Sequence, residues 1–306
     1  MPHNFVIPEQ VLSTALTLLR DDLMIAATMN RDFEDNFGGG KGTVVNVRIP
    51  ATLKARRRAL SEAGTQITTD SLSENTVPVT LTDMIYSAVD ITDEDLSLSI
   101  EDFTRQVTMP QVTALVEDIE DTAVARLQSV AETLTIPYDA ANPVPTFTKA
   151  RKMLRDLGLP ARGMWAAVGT GVYAELLDAK AITDASESGS TEALRSANVG
   201  NVRGFNTVEC NRLADGEIVF YGRDSFTLAI RAPRVPDGVA FGSTRSEAGF
   251  AMRWIKDYDK DILSDRSIFS TFIGCQKIDL PRMNPTTKAV EMVTPAIRVL
   301  TSTTPA

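Results

Sequence analysis

The sequence predicts an α+β protein, and three observations carry that reading. Thr108 to Leu134 places Val112, Leu115, Val116, Ile119, Ala123, Leu127, Val130 and Leu134 at intervals of three or four, which marks one face of a long helix. Ahead of it, Thr43 to Ile49 and the stretch that begins at Val77 alternate apolar and polar residues as strands do. Beyond it, from Thr146, short helical and strand patterns follow one another closely.

Taken in order, Pro8 to Asn30 reads as a helix with Val11, Leu12, Ala15, Leu18, Leu19, Leu23 and Ala26 on one face. Nothing adjacent in sequence covers that face, so it must dock on something distant. The glycine run from Phe37 to Gly42 breaks the chain. The strand from Thr43 stops at Pro50, and a second runs from Val77 through Val79 and Leu81 toward Ile85, Val89 and Ile91, so the two can pair as a hairpin. Residues 51–76 between them are almost entirely polar or small. A connection of that length without its own core points to an arm that packs on another molecule.

Asp93 to Val107 reads as a turn plus a short helical piece anchored by Leu96, Ile100 and Phe103. The long helix follows, with Thr108 and Gln111 in a capping-box arrangement and Pro110 in its first turn. At about 1.5 Å per residue it would run roughly 40 Å. Glu117, Asp118, Glu120 and Asp121 crowd its other faces. Pro137, Pro143 and Pro145 mark a boundary.

The second part comprises a helix at Phe147–Leu157, a buried strand at Met164–Val168 and a short helix at Val172–Ala179. A polar loop at 184–189 and a helical turn at 192–197 lead to strands at Thr207–Cys210, Ile218–Tyr221, Phe226–Ile230 and Val239–Gly242. Phe250–Tyr258 and Ser267–Gln276 form a last strand pair, and a Pro- and Thr-rich tail contains one strand, Ala296–Leu300.

Composition narrows the chemistry. The chain has 306 residues, 43% hydrophobic and 23% charged, as expected of a folded soluble protein with roughly two domains. No apolar run approaches the ~18 residues of a membrane span. His3 is the one histidine, which sets aside most Ser-His and Cys-His catalysis and most zinc sites. Cys210 and Cys275 form no metal pattern. A net charge of −9 argues against a surface that is a nucleic-acid footprint throughout.

Four motifs have bland explanations. Gly169-Thr-Gly171-Val-Tyr-Ala174 fits G-x-G-x-x-A but lacks the βαβ run and the acidic residue of a dinucleotide site, so it reads as a strand-to-helix turn. Gly38 to Thr43 resembles a phosphate loop with its parts in the wrong order and reads as a hinge. Asp257, Asp259, Asp261 and Asp265 lack the glycine and glutamate of a calcium loop and read as a solvated turn. Lys54, Arg56, Arg57 and Arg58 form the one dense basic cluster. Such a run usually reads as solvated or partner-binding charge, and single-strand nucleic-acid contact is a weak further option without interleaved aromatics. A specific alternative is pairing with acidic surface on a neighbour, such as Glu101 and Asp102 or Glu117 and Asp118, which the bidentate geometry of arginine suits.

The order of parts resembles one family. It runs from the N-terminal helix into Arg31-Asp32-Phe33 and Gly38 to Gly42, then Thr43 to Pro50, a polar arm, the returning Val77 to Thr82 strand, and the long helix. Leu159-Pro160, Trp165 to Val168, Leu194-Arg195 and Gly200 to Phe205 follow. This is similar to the major capsid (coat) proteins of tailed bacteriophages with the Hong Kong-type head fold. The resemblance implies an N-terminal arm at 1–36 and an extended β-hairpin loop at 37–82. It implies a peripheral domain with the long spine helix at 83–135 and 246–280, an axial domain at 136–245, and a C-terminal tail at 281–306. Residues 211–245 are too short for the large domain that some relatives insert there.

The expected function is structural, with no catalysis, cofactor or metal. The expected partners are copies of itself in pentamers and hexamers, scaffolding, portal and decoration proteins, and packaged double-stranded DNA bound on the inner face without sequence specificity. The chain would reside in the virion and, during assembly, in the host cytoplasm. Two other readings stay open at this point: an encapsulin-like compartment shell, and a nucleotide-dependent enzyme using Gly169 and Gly171.

Overall fold

The computed structural model describes residues 11–17, 23–31, 44–49, 53, 55–57, 66–67, 69, 75–92, 94, 103–133, 135–179, 199–239, 241–247, 250–259, 264–284, 287 and 289–301. Its elements in chain order are α1 (11–17), β1 (Val44–Ile49), β2 (Asn75–Thr80), β3 (Asp83–Thr92), α2 (Met109–Gln128), α3 (Val144–Asp156), β4 (Met164–Val168), α4 (Thr170–Asp178), β5 (Asn201–Val202), β6 (Phe205–Glu209), β7 (Glu217–Gly222), β8 (Phe226–Arg231), β9 (Phe241–Glu247), β10 (Phe250–Asp259), β11 (Ser264–Lys277), β12 (Leu280–Met283), β13 (Val290–Val293) and β14 (Ala296–Leu300).

Two five-stranded sheets organise the chain. The first has the order β3-β11-β10-β9, and β8 pairs the far end of the long β11. All of its pairings are antiparallel. α2 lies across it, and Val112, Leu115, Ile119, Ala123 and Leu127 meet Phe250, Met252, Trp254 and Phe269 in one buried cluster. The second sheet has the order β14-β7-β4-β6-β5, with β4 and β6 parallel. α3 and α4 cover one of its faces through Phe147, Ala150, Leu154, Val172 and Leu176. The stretch read as a C-terminal tail thus contributes an edge strand, β14, whose Ile297 and Val299 are buried against β7.

Five sequence expectations change. The long helix is α-helical over the 20 residues of α2, about 30 Å. A π-helical turn at Thr104–Thr108 precedes it. It ends at Gln128 because Ser129 Oγ donates to the Arg126 carbonyl at 2.6 Å, and Glu132 and Thr133 are then taken up beside Arg298 of β14. The capping box does not form: Thr108 is itself helical and buried. The Gln111 amide instead donates to the carbonyls of Ser87 (3.1 Å) and Ser267 (2.9 Å).

The helix expected over 8–30 is helical at 11–17 but not at 23–30, where only a 3-10 turn at Ala26–Thr28 remains. Backbone groups there find partners on other elements, since Asn30 exchanges hydrogen bonds with Phe226 and Leu228 of β8. The strand continuing past Val77 is two strands, β2 and β3, in different sheets. The strand expected at 239–242 begins at Phe241 and runs to Glu247. The loops at 184–189 and 192–197 and the glycine run at 38–42 lie outside the described residues, as do His3, Leu96, Ile100 and Asp261.

Candidate inter-subunit surface

β1 and β2 form a ribbon of two strands in full register, Val44 opposite Thr80 through Ile49 opposite Asn75. A lone two-stranded ribbon is marginal in water, so its base needs support. Val79 supplies it, buried with Ala229 and Ile278 and flanked by Val77, Leu81 and Leu280. Thr82 N–H donates to the Ile273 carbonyl at 3.0 Å. Gly274 is the point of closest approach: a Cβ there would strike the carbonyl of Thr80. The ribbon is therefore stapled at its base.

Past the base, the described residues are exposed. Leu53 and Ile67 keep 55% and 71% of their surface, and Arg56 and Arg57 are exposed with them. Lys54 and Arg58 lie outside the described residues, as do Glu101 and Asp102. Glu117 and Asp118 sit on the solvent side of α2. Asp118 stands close enough to Asp121 and Asp83 to feel both. Burial first, then those two carboxylates, pushes the Asp118 carboxyl above the ordinary range. Asp121 is bonded to Arg212 at 3.0 Å. The structure thus gathers Asp83, Glu117, Asp118 and Asp121 in one acidic district. Asp83 escaped the sequence reading because it opens strand β3 rather than lying on the helix.

Glu120 is the opposite case. Listed by sequence among the charges on the outer faces, it is 5% exposed. Its carboxylate accepts the backbone N–H groups of Met24 (2.7 Å), Ile25 (3.0 Å) and Ala26 (3.1 Å). Burial raises its carboxyl above the usual range, against the pull of those N–H groups and of Arg212. Glu217, 1% exposed, accepts from Gln128 of α2 at 2.9 Å and Arg298 of β14 at 2.5 Å. Two buried carboxylates therefore tie α2 to the N-terminal segment and to the last strand. Their signal in sequence is slight, since an acid beside a buried stripe usually faces water.

The Gly169–Ala174 motif is the expected strand-to-helix turn. A Cβ at Gly169 would strike the Ala214 carbonyl, and one at Gly171 would come within 3.0 Å of the Asp215 carbonyl. Val172 N–H donates to the Asp215 carbonyl at 3.0 Å, and Thr170 Oγ1 bonds the Asp215 carboxylate at 2.8 Å. The chain's own backbone fills the place where a pyrophosphate would lie, so the nucleotide-enzyme reading loses its site. Of the aspartates near 257–265, Asp265 pairs with Lys256 at 2.6 Å. No cluster able to hold a metal ion occurs among the described residues.

No helix among the described residues is long and apolar enough to cross a membrane. No curated protein matches the sequence. A solved structure from Mycobacterium phage Che8 is similar over 92% of each chain at 20% identity, with a TM-score of 0.63. The head structure of Helicobacter pylori bacteriophage KHP40 matches 86% of this chain and 85% of that one at 12% identity, TM-score 0.58. A virus-like particle from Pyrococcus furiosus matches 95% and 98% at 12% identity, TM-score 0.53. At these identities the likeness is one of fold. The family model described as phage capsid protein matches residues 74–267, more than half of the chain, and favours a phage shell over an encapsulin-like compartment. The chain belongs to the phage capsid protein family, and its role is that of a structural shell subunit.

Proposed function

We propose that this subunit closes with its copies, as pentamers and hexamers, into an icosahedral shell around double-stranded DNA, and that the β1–β2 ribbon is the grip between adjacent copies. The observation that carries this is the ribbon itself: stapled at Val79 and Gly274, exposed beyond, and without an apolar home of its own. Residues 51–76 reach an adjacent copy, where Lys54, Arg56, Arg57 and Arg58 meet Glu117 and Asp118, together with Glu101 and Asp102. Burial first, and then the charges of Asp121 and Asp83, make Asp118 hold its proton more tightly than an ordinary carboxyl. An incoming guanidinium relieves that repulsion, which is a reason for charge to accumulate there before assembly. Leu53 and Ile67 add the apolar contact that surface ion pairs alone do not supply. Individually weak contacts suffice when many act together, and they let misplaced subunits leave.

Scaffolding, portal and decoration proteins are the further partners of such a shell, and the host cytoplasm is where it would be built. Replacing Arg56, Arg57 and Arg58 together with alanine tests the grip. The variant is expected to keep the wild-type circular dichroism and melting curve while particle yield by electron microscopy falls at least tenfold. Normal particles at normal yield would refute the role given to the ribbon.

A further inference from the structure

The second sheet is polarised by charge along its strands, and its register shows how. β4 and β6 run parallel, starting side by side at Trp165 and Asn206, and β7 ends beside the start of β4, with Gly222 opposite Met164. The turn before β4, the turn before β6 and the turn after β7 therefore open at one end of the sheet. They carry Arg162, Arg203 and Arg223, all exposed. α3 enters β4 through Leu157 to Gly163, so its last turn, with Arg155, lies at the same end. Arg282 of β12 packs its stem against Gly158 there. Arg155, Gly158, Pro160, Arg282 and Met283 line an open groove of about 650 Å³. At the opposite end, where β4 and β6 finish, the chain places Glu209 and Asp215, and Arg212 between them pairs with Asp121 at 3.0 Å.

The basic end is built rather than incidental. Arg203 has φ +52°, the one positive-φ residue other than glycine among those described, a conformation that costs a non-glycine residue strain. The Arg151 guanidinium holds the turn by donating to the Arg203 carbonyl at 2.6 Å, which leaves the Arg203 side chain exposed beside α3. Asp156, which also lines the groove, pairs with Lys152 at 3.0 Å, and Asp224 accepts from the Asn30 amide at 3.0 Å. Glu291 stands opposite Arg282 in the β12–β13 register, and Arg155 already donates to the Leu159 carbonyl at 2.7 Å, so the five arginines outnumber three acids at this end.

We propose that this end of the sheet, formed by Arg155, Arg162, Arg203, Arg223 and Arg282, is the surface that grips the sugar-phosphate backbone of double-stranded DNA. Guanidinium groups on three turns and a groove wall match a row of phosphates, which they bind bidentately and without reading bases. A chain of net charge −9 meets a polyanion only where its own charge is segregated. The inference rests on the reading of the shell as a DNA container, and it assigns the face that container turns inward.

The test measures binding of a short random-sequence duplex to the purified full-length chain across a salt series, with polyglutamate as competitor. Arg155, Arg162, Arg203, Arg223 and Arg282 are replaced together by glutamine, and in a milder variant only Arg162 and Arg203, which lie on exposed turns. Each lost phosphate contact lowers the log–log salt slope by about 0.9. The full variant should lose roughly 4 from the slope and on the order of 100-fold in affinity, and the mild variant roughly 2 from the slope. Particle yield should stay normal in both.

The variant with Arg56, Arg57 and Arg58 replaced should show the reverse: impaired assembly with the slope contribution of this sheet end intact. An unchanged slope in both basic-end variants overturns the proposal. So does loss of particles with DNA affinity retained, or displacement of the duplex by polyglutamate at equal charge, because either would make the surface a protein contact. If the wild-type chain builds no particles yet the variants still lose their slope, the shell reading fails and the DNA surface stands.

Discussion

The two cores of this molecule are held together differently. Beneath α3 and α4, Phe147, Phe205 and Phe220 meet at centroid distances of 5.0 to 6.1 Å, and Phe147 lies edge-on to both others. All three are fully buried, in a cluster made of apolar side chains. Beneath α2, the apolar cluster is crossed by polar ties. Glu120 takes three backbone N–H groups of residues 24–26. Thr28 and Tyr221 share a hydrogen bond of 2.6 Å, and Trp254 Nε1 donates to Ser267 Oγ at 2.9 Å, which in turn donates to Gln111 at 3.0 Å. The first arrangement holds chiefly by shape, with Val199 N–H donating to the Tyr173 hydroxyl at 3.1 Å at its margin. The second joins segments distant in sequence, 94 to 96 residues apart at Glu120 and 193 apart at Thr28 and Tyr221, by specific hydrogen bonds, which fix geometry at the cost of needing every partner present.

That contrast breaks most sharply at Phe220. Phe220→Ala removes a ring that touches both others and leaves a dry cavity, for which about 4 kcal/mol is the expected loss. Urea unfolding of the dispersed subunit should show the midpoint falling, with residues 11–31 unaffected in hydrogen exchange until global opening. A loss under about 1 kcal/mol would mean the aromatic cluster is slack.

Glu120→Ala comes next, at about 3 kcal/mol, because three buried backbone donors are left without an acceptor. Here the exchange pattern should invert. The amides of Met24, Ile25 and Ala26 would lose protection before the sheet opens, while the Phe147 region keeps its own. Equal effects of the two variants on both regions would erase the distinction between the cores.

The same contrast decides what could be read from sequence. The aromatic core was legible: Met164–Val168, Phe147–Leu157 and Ile218–Tyr221 are contiguous apolar patterns, and each became the element expected, with ends shifted by a few residues. The hairpin was legible from alternation and from the polar gap between its strands. The ties under α2 were not. Glu120 lies between Ile119 and Asp121 on a helix with four acids in five positions, and nothing local says that it alone turns inward. Residues 23–30 kept a helical pattern of apolar side chains, yet their N–H groups went to Glu120 and their edge to β8, so tertiary partners overrode local preference. Of the proposed assembly surface, the exposed arginines Arg56 and Arg57 and the acids Glu117 and Asp118 were visible as charge, whereas Asp83 came beside Asp118 only through the fold.

The smallest effect expected is one of pH, and it separates the cores without altering their packing. Glu120 is raised chiefly by burial, and Asp118 by burial and then by Asp121 and Asp83. A carboxyl whose folded value lies above its unfolded one binds its proton better in the folded chain. Its contribution to stability is full below the unfolded value, near 4, and is lost as pH rises through the folded value. The subunit should therefore gain a little stability from these groups on mild acidification, with Asp118 the weaker contributor because water screens it. Melting of the dispersed subunit, followed in steps from neutral pH downward, should rise relative to a Glu120→Gln variant, in which that dependence is absent. Phe220→Ala should shift the whole curve without changing its slope, since the ring it removes packs on Phe147 and Phe205 and carries no titrating group itself. If wild type and Glu120→Gln ran parallel across the range, the buried carboxylate under α2 would have to be solvated, and the claim that polar ties in a dry core hold the N-terminal segment would fail with it.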